Sequence, residues 1–429
     1  DGAPTAPPGL LEAIALEAPA LALLEAGLPS KALDKLDLDR TASHLVSTTG
    51  SHWALPTHLA AQVRSQHSLQ PAHLATRWLH RLSPTLSLAV GDDLPGDAAP
   101  PDFITLRWMA EVLPNPHDAC RVAAAAAHLL IRWGQATVAC DLLETAERRN
   151  TRARPGARAL LAWAEAHARL ELGYGAEGKA AFHEAQRRMK EDTDIALEAT
   201  LTRRWADALL LRGDARSAAR HLQAARTLHR AARDSAGVTA ALRGTGDCAV
   251  QLGETVSAEA LYDQARGGPA PTTEHISLRL GQAGLFLSRG NLARARRLVE
   301  VAREEDGEGD ILRGNLARRE AELALRAEDA DAAIAHSREA ARRYGRAGLR
   351  VSVAQAGRLL ADALASKGAL ADAARTYRKV IEIQVRLRDL TGLARTLEHA
   401  ALLESEAGDA SLADQYEEIA RILREATSD

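Results

Sequence analysis

Residues 170–186 read LELGYGAEGKAAFHEAQ, and within them Gly173, Gly178 and Lys179 stand at the G-x-x-x-x-G-K spacing of a phosphate-binding loop. Such a loop needs a strand before it, backbone N–H groups converging on a phosphate, and a Ser or Thr after the Lys to hold Mg²⁺. The residues ahead of Gly173 have helical periodicity instead, and Ala180 occupies the hydroxyl position. The small residues around Gly173 recur along the chain, whereas the Lys does not. The stretch therefore reads as the turn of a helical repeat, and no nucleotide or other cofactor is expected.

The repeat is defined by spacing. Gly173 has Ala166 seven residues behind it, Gly178 five ahead and Ala185 twelve ahead. Gly134, Gly213, Gly253, Gly290, Gly368 and Gly408 carry small residues at these offsets, except Val380 at the last position of the 368 unit. Glu328 replaces the glycine of one unit, which keeps Ala321, Ala333 and Ala340. Eight anchors result, 37 to 40 residues apart. An amphipathic stretch precedes each anchor, as in ATLTRRWADALLLR (199–212), and another follows, as in ARSAARHLQAARTLHRAA (215–232). A glycine between them ends the first helix with positive φ. Small side chains at the three offsets let two antiparallel helices approach, where a larger one would cost about 1–3 kcal/mol.

Composition agrees. The 429 residues are 46% apolar but only 3% aromatic, so the apolar content is alanine and leucine, suited to closely packed helices. A formal charge of −3 gives no bulk attraction to nucleic acid or to an anionic membrane. No apolar run approaches the roughly 18 residues of a membrane span. Cys120, Cys140 and Cys248 form no C-x-x-C pair, and they suit a reducing, cytoplasmic setting with no structural zinc.

The pattern resembles the tetratricopeptide repeat: a small residue in helix A, Gly at the turn, Ala in helix B, an aromatic four residues later, then Ala. The aromatic is Phe182, Tyr262 or Tyr377 in three units and is replaced in the others. That family's repeat is nearer 34 residues, and the extra residues here fall at the ends of helix B, as in HRAARDSAG (229–237). The resemblance covers residues 121–425. It implies an all-α fold, a right-handed superhelix of about eight helical hairpins over 101–429.

Before it, residues 1–8 read as a linker and 9–100 as a small helical domain, which is a partial winged helix or includes a degenerate repeat around Gly27. Val46, Thr48 and Thr49 flank Gly50, and Trp53 and Leu55 alternate after it, which is hairpin chemistry. Helices are expected at 9–26, 57–66 and 71–82, then a Gly/Asp/Pro-rich connector at 91–102. His52, Trp53, Leu55, His58 and Leu59, followed by His73, Trp78 and His80, resemble the winged-helix-to-sensor junction of the signal-transduction ATPases with numerous domains. That resemblance implies a bacterial regulator whose repeat array senses an inducer. No ATPase core is present and no DNA-reading helix-turn-helix follows RILREATSD, so those parts are expected outside this chain; the absent initiator methionine reads as a removed targeting segment or, in keeping with this resemblance, as a piece of a longer protein.

The histidines His44, His52, His58, His67, His73 and His80 lack metal-ligand spacing and read as ordinary surface or partly buried residues. Cys120 and Cys140 lie on opposite helices of the first hairpin and read as reduced thiols. In stacked tetratricopeptide units helix A lines the concave wall, with the positions ten and six before each anchor pointing into it. These are Trp163 and His167, Arg203 and Asp207, Arg243 and Asp247, Arg318 and Glu322, Arg358 and Asp362. An Arg four residues before an acid recurs in four units. Intrahelical pairing explains each one, at about 0.2–0.5 kcal/mol, but not their common place in the repeat. The ladder is expected to line a polar groove presenting guanidinium forks to a peptide, carboxylate or phosphate. The 290 and 408 units break it with Leu280 and Gly284, and with Glu398 and Leu402. The expected function is non-enzymatic: a sensor of a bacterial signalling or transcription regulator, binding a peptide, protein or small effector. The alternative is a free-standing adaptor or peptide receptor. Neither reading gives the array direct contact with nucleic acid or membrane, and self-association is left open.

Overall fold

In the computed structural model, residues 47–49, 52–54, 110–111, 113–132, 135–305 and 309–427 are described. The Gly134 anchor, the linker 1–8, the helices expected at 9–26, 57–66 and 71–82, the Gly27 repeat, the connector 91–102 and the side chains of the histidines at 44–80 lie outside them. The chain divides into two compact units, residues 1–130 with 138–164, and residues 131–137 with 165–429.

In the first unit, β1 (Ser47–Thr49) pairs antiparallel with β2 (His52–Ala54), Thr48 opposite Trp53, which is the hairpin expected around Gly50. α1 (Pro116–Arg132) and α2 (Ala136–Arg149) follow, with Ala127, Ala139 and Ala146 buried. α3 (Pro155–Glu171) passes into the second unit at residue 165 and leads through Gly173 into α4 (Gly175–Asp192). The second unit continues as successive hairpins. They are α5 (Ile195–Leu211) with α6 (Ala215–Ala231), and α7 (Ser235–Gln251) with α8 (Thr255–Arg266). Next come α9 (Thr272–Ser288) with α10 (Leu292–Glu304), and α11 (Asp310–Arg326) with α12 (Ala330–Arg346). The last are α13 (Arg350–Ser366) with α14 (Leu370–Leu387), and α15 (Leu390–Ala407) with α16 (Ala410–Thr427). The sixteen helices among the described residues make eight tetratricopeptide-like hairpins, one per anchor.

Each turn does two jobs in two residues. The anchor sits in the left-handed region, from φ +73° at Gly290 to +89° at Gly408, and Glu328 adopts φ +60° without glycine's freedom. The next residue returns its N–H to the carbonyl five residues back, as Asp214 does to Leu209 (3.0 Å) and Asp329 to Ala324 (2.9 Å). Where that residue is Asp or Asn, its side chain also caps the following helix. Asp214 accepts from the Ser217 N–H, Asn291 from Arg294 and Asp329 from Ala332. The phosphate-loop match at Gly173 is such a turn, with a helix before it and an exposed Lys179 after. The reverse turns, from one hairpin to the next, put Thr193, Arg233, Gly348 and Arg388 in the same backbone region.

The small residues face inward. Ala206, Ala218, Ala225, Ala258, Ala265, Ala283, Ala295, Ala321, Ala333, Ala340, Ala361 and Ala373 are all fully buried. Aromatics fill the seams between hairpins: Phe182 of α4 stacks on Trp205 of α5, ring centroids 4.7 Å apart. Tyr262 lies where a Cβ on Gly246 would stand 2.6 Å from its ring, so that unit uses glycine at the small position. In α16 the seam positions carry Glu417 and Arg424, both exposed, beside buried Ala413 and Ala420.

The second unit also joins parts far apart in sequence. Gln355 Nε2 of α13 donates to the Leu211 carbonyl at the end of α5, 3.2 Å away. The Arg388 guanidinium lies 5.1 Å from the centre of the Tyr174 ring, and Thr391 presses on Gly213, where a Cβ would stand 2.6 Å from its Cγ2. This unit therefore curls until its early turns meet α13 and the α14–α15 turn.

Two stability outcomes follow. Glu328→Gly relieves a left-handed non-glycine residue at an exposed turn and should raise unfolding free energy by about 0.5–1 kcal/mol in urea titration. Ala258→Leu overpacks a fully buried contact and should lower it by about 1–3 kcal/mol.

Candidate functional site

The ladder positions ten and six residues before each anchor lie one helical turn apart on one face. All four pairs close within their helices. Arg203 Nη1 lies 2.8 Å from Asp207 Oδ2, Arg243 Nη1 2.6 Å from Asp247 Oδ2, Arg318 Nη1 2.8 Å from Glu322 Oε1 and Arg358 Nη1 3.4 Å from Asp362 Oδ2. Side-chain exposure runs from 12% at Arg203 to 37% at Asp207, which places these groups at a wet but crowded wall.

Interactions between hairpins link the pairs. Burial alone would pull the Arg243 pKa down, but Glu274, Asp247 and Asp207 of the preceding unit hold it well above the ordinary value. Burial likewise opposes the charge of Arg318, which Glu322, the Tyr344 hydroxyl and Asp247 sustain above the usual range. Burial would raise Glu322, yet Arg319, Arg318 and Arg358 hold it below the usual carboxylate range. The acid of one unit thus serves the arginine of a later one.

The break at the 290 unit has a steric reason. A Cβ on Gly284 would stand 2.5 Å from Arg319 Nη2, and one on Gly281 would stand 2.8 Å from Asp247 Oδ1. α9 is thinned so that Arg319 and Asp247 can pass across it. With Glu274 bonded to Arg243 Nε and Glu322 to Arg319 Nη1, five guanidiniums meet five carboxylates along the wall. These ten groups are charged throughout and neutral in sum.

Tyrosines fix the acids. Tyr262 Oη donates to Asp247 Oδ1 (2.7 Å), and Tyr377 Oη donates to Asp362 Oδ1, each from fifteen residues on in the partner helix. Burial first, and then the adjacent carboxylate, raise both phenol pKa values beyond physiological reach. His399 Nδ1 lies 2.9 Å from Asp362 Oδ1, with Nε2 3.5 Å from Arg358 Nη1. Among the described residues Arg358 thus uses Nη1 alone, with Nε and Nη2 uncommitted.

The two remaining positions differ. Trp163, in the first unit, is 2% exposed and its ring lies 4.6 Å from that of His128. His167, in the second, is held at a pKa of about 3 by burial and then by Arg204 and Arg212, so its ring is neutral at physiological pH. In the 408 unit, Glu398 pairs with Arg424 and Leu402 is 64% exposed. Glu274, Arg319, the two phenols and His399 were not among the sequence candidates. Only the tyrosines carried a signal, as aromatics nine residues after an anchor.

Among the described residues, no group of three or more His, Cys, Asp or Glu side chains is placed to hold a metal ion, and no helix is long and apolar enough to cross a membrane. Cys248 is a free, buried thiol.

No family model matches the sequence, and no curated protein matches it. Solved structures are similar in fold. A Signal Transduction ATPase with Numerous Domains (STAND) protein with a tetratricopeptide repeat sensor, from Pyrococcus horikoshii, is 14% identical, with a TM-score of 0.41 over 98% of this chain and 57% of that one. This chain therefore spans little more than half of that protein. A Rap protein complexed with competence and sporulation factor is 12% identical, with a TM-score of 0.45 over 72% of this chain and 99% of that one. The quorum sensor NprR from B. thuringiensis, in its apo form, is 12% identical, with a TM-score of 0.47 over 83% and 96%. These likenesses concern the helical-repeat fold.

Tyr262→Phe should destabilise the protein by about 1–3 kcal/mol, because a partly buried carboxylate loses a donor. Glu322 has a lowered folded pKa, so its contribution is present above the ordinary carboxylate range and lost as pH falls through that range to the folded value. Glu322→Gln should therefore be less stable than wild type at neutral pH, with the gap narrowing in acid; thermal unfolding at a series of pH values reads this.

Proposed function

We propose that the second unit is a non-enzymatic interaction module that binds an extended peptide along the ladder of α5, α7, α11 and α13. The observation that carries this reading is the ladder's self-neutralisation. A groove with five guanidiniums and five carboxylates offers little net potential to a lone anion, but it offers donors and acceptors in alternation. A peptide main chain presents the same alternation of C=O and N–H groups. Its amides can share arginine forks and carboxylates without leaving either charge unpaired, which would cost several kcal/mol. Arg358, with two donor nitrogens uncommitted beside His399, is the strongest anchor point.

In this reading the module is the sensor of a bacterial, cytoplasmic regulator and passes peptide occupancy to an attached signalling or transcription module. The attachment is supported by the junction-like sequence from His52 to His80.

Selection of random dodecapeptides displayed against the purified full chain, followed by calorimetry of the enriched sequence, tests the binding. Arg358→Lys keeps the charge but loses the planar fork, and should weaken binding about tenfold while circular dichroism stays unchanged. The double variant Arg243→Ala with Arg318→Ala should weaken it further. Unchanged affinity in both folded variants would remove the ladder from the binding site.

A further inference from the structure

From α4 onward, the second helices of the hairpins are 17 or 18 residues long with two exceptions: α8 has 12 and α10 has 13. α8 stops ahead of Gly267-Gly268-Pro269-Ala270-Pro271, which cannot continue a helix. Between the two short helices lies a groove of about 880 Å³, lined also by α9. Its floor is Leu278, Gln282 and Phe286, exposed by 3%, 7% and 5%. These lie roughly 160° around α9 from Leu280 and Gly284, the ladder positions of that unit, so this groove opens on the other side of the hairpin.

The rim is basic. Arg266, Arg279, Arg294, Arg296 and Arg297 line it, against the single carboxylate of Glu300. Arg266 is paired with Asp263, and Arg279 with Glu305. The Arg294 guanidinium lies 4.1 Å from the centre of the Phe286 ring. Arg296 and Arg297 are exposed and form no ion pair among the described residues, although Glu300 stands one helical turn from Arg296. Exposed arginines elsewhere divide: Arg187, Arg386 and Arg421 close such pairs, whereas Arg216 and Arg230 close none among the described residues. Arg296 and Arg297, adjacent and without paired carboxylates, repel one another, and an acidic ligand relieves that repulsion.

The geometry points to this outer groove as a docking site for an acidic, extended peptide segment of a partner protein, with one apolar side chain seated against Phe286. α10 is about 20 Å long at roughly 1.5 Å per residue, a length that about six extended residues cover. A nucleic acid is the weaker fit. The basic track is short, Glu300 lines it, Asp263 and Glu259 lie close to its arginines, and the chain carries a net charge of −3. A folded apolar floor also suits a side chain better than a sugar-phosphate backbone.

The test uses the full chain and a fluorescein-labelled Glu-Glu-Leu-Glu-Glu-Asp peptide, read by fluorescence anisotropy. Its neutral counterpart, Gln-Gln-Leu-Gln-Gln-Asn, and a thymidine hexanucleotide serve as competitors. The expected result is saturable binding that falls with salt, is not displaced by the neutral peptide, and weakens about tenfold or more in Arg296→Glu with Arg297→Glu. If that variant loses helical circular dichroism, Arg296→Gln with Arg297→Gln gives the same readout without charge reversal. The proposal is overturned if the acidic peptide does not bind saturably. It is also overturned if both folded variants keep wild-type affinity, or if the hexanucleotide displaces the peptide as well as unlabelled peptide does.

Discussion

Two helices of this chain approach so closely that little more than a methyl group fits where they cross. The other features of the second unit depend on that limit. Ala206 meets a partner helix carrying Ala218 and Ala225, and the same trio recurs with few exceptions at every hairpin. The limit aligns the helices, sets where each must turn, and places identical positions of successive first helices on a common wall. Stability is then spread through near-identical contacts, each modest, rather than concentrated in one core.

The wall so formed carries charge at an unusual density for a crowded place. Removing an ion from water costs several kcal/mol, which pairing offsets only if the remaining hydrogen bonds are also made. The ladder meets much of that condition with intrahelical pairs, cross-hairpin carboxylates and tyrosine hydroxyls, while Arg319 Nε is buried without a hydrogen-bond partner among the described residues. The phenols do double duty, filling the seam with their rings and donating to the acid at its edge. In the function proposed above, such a wall receives a partner that matches both signs at once, in contrast to Arg296 and Arg297 on the outer face.

Legibility in the sequence followed the range of the forces. The alanine and glycine spacings are local consequences of steric limits, so they could be read directly, even at Glu328, where the backbone adopts the glycine-like conformation without glycine. The i, i+4 arginine–acid pairs are equally local. Glu274 and Arg319 could not be foreseen, because they reach the wall from neighbouring helices and their roles depend on tertiary placement. Gly284 looked like a defect in the ladder and is instead the clearance for Arg319. The reverse turns at Thr193, Arg233 and Arg388 were hidden because no glycine marks them. Trp163 occupies a groove position by counting, yet packs out of solvent against His128.

The meeting of α5 with α13 and of Gly213 with Thr391 sets this unit apart from open-ended arrays. An open array gains or loses a module at little cost, since only nearest neighbours notice. Here, adding or deleting one hairpin would displace the two sides of the junction by about 10 Å, the breadth of a packed helix, and leave Gln355 without the Leu211 carbonyl. The number of modules between the two sides is therefore fixed by geometry. Insertions in this lineage should accumulate in the loops, and whole-module duplications should be confined to the stretch outside the closed portion.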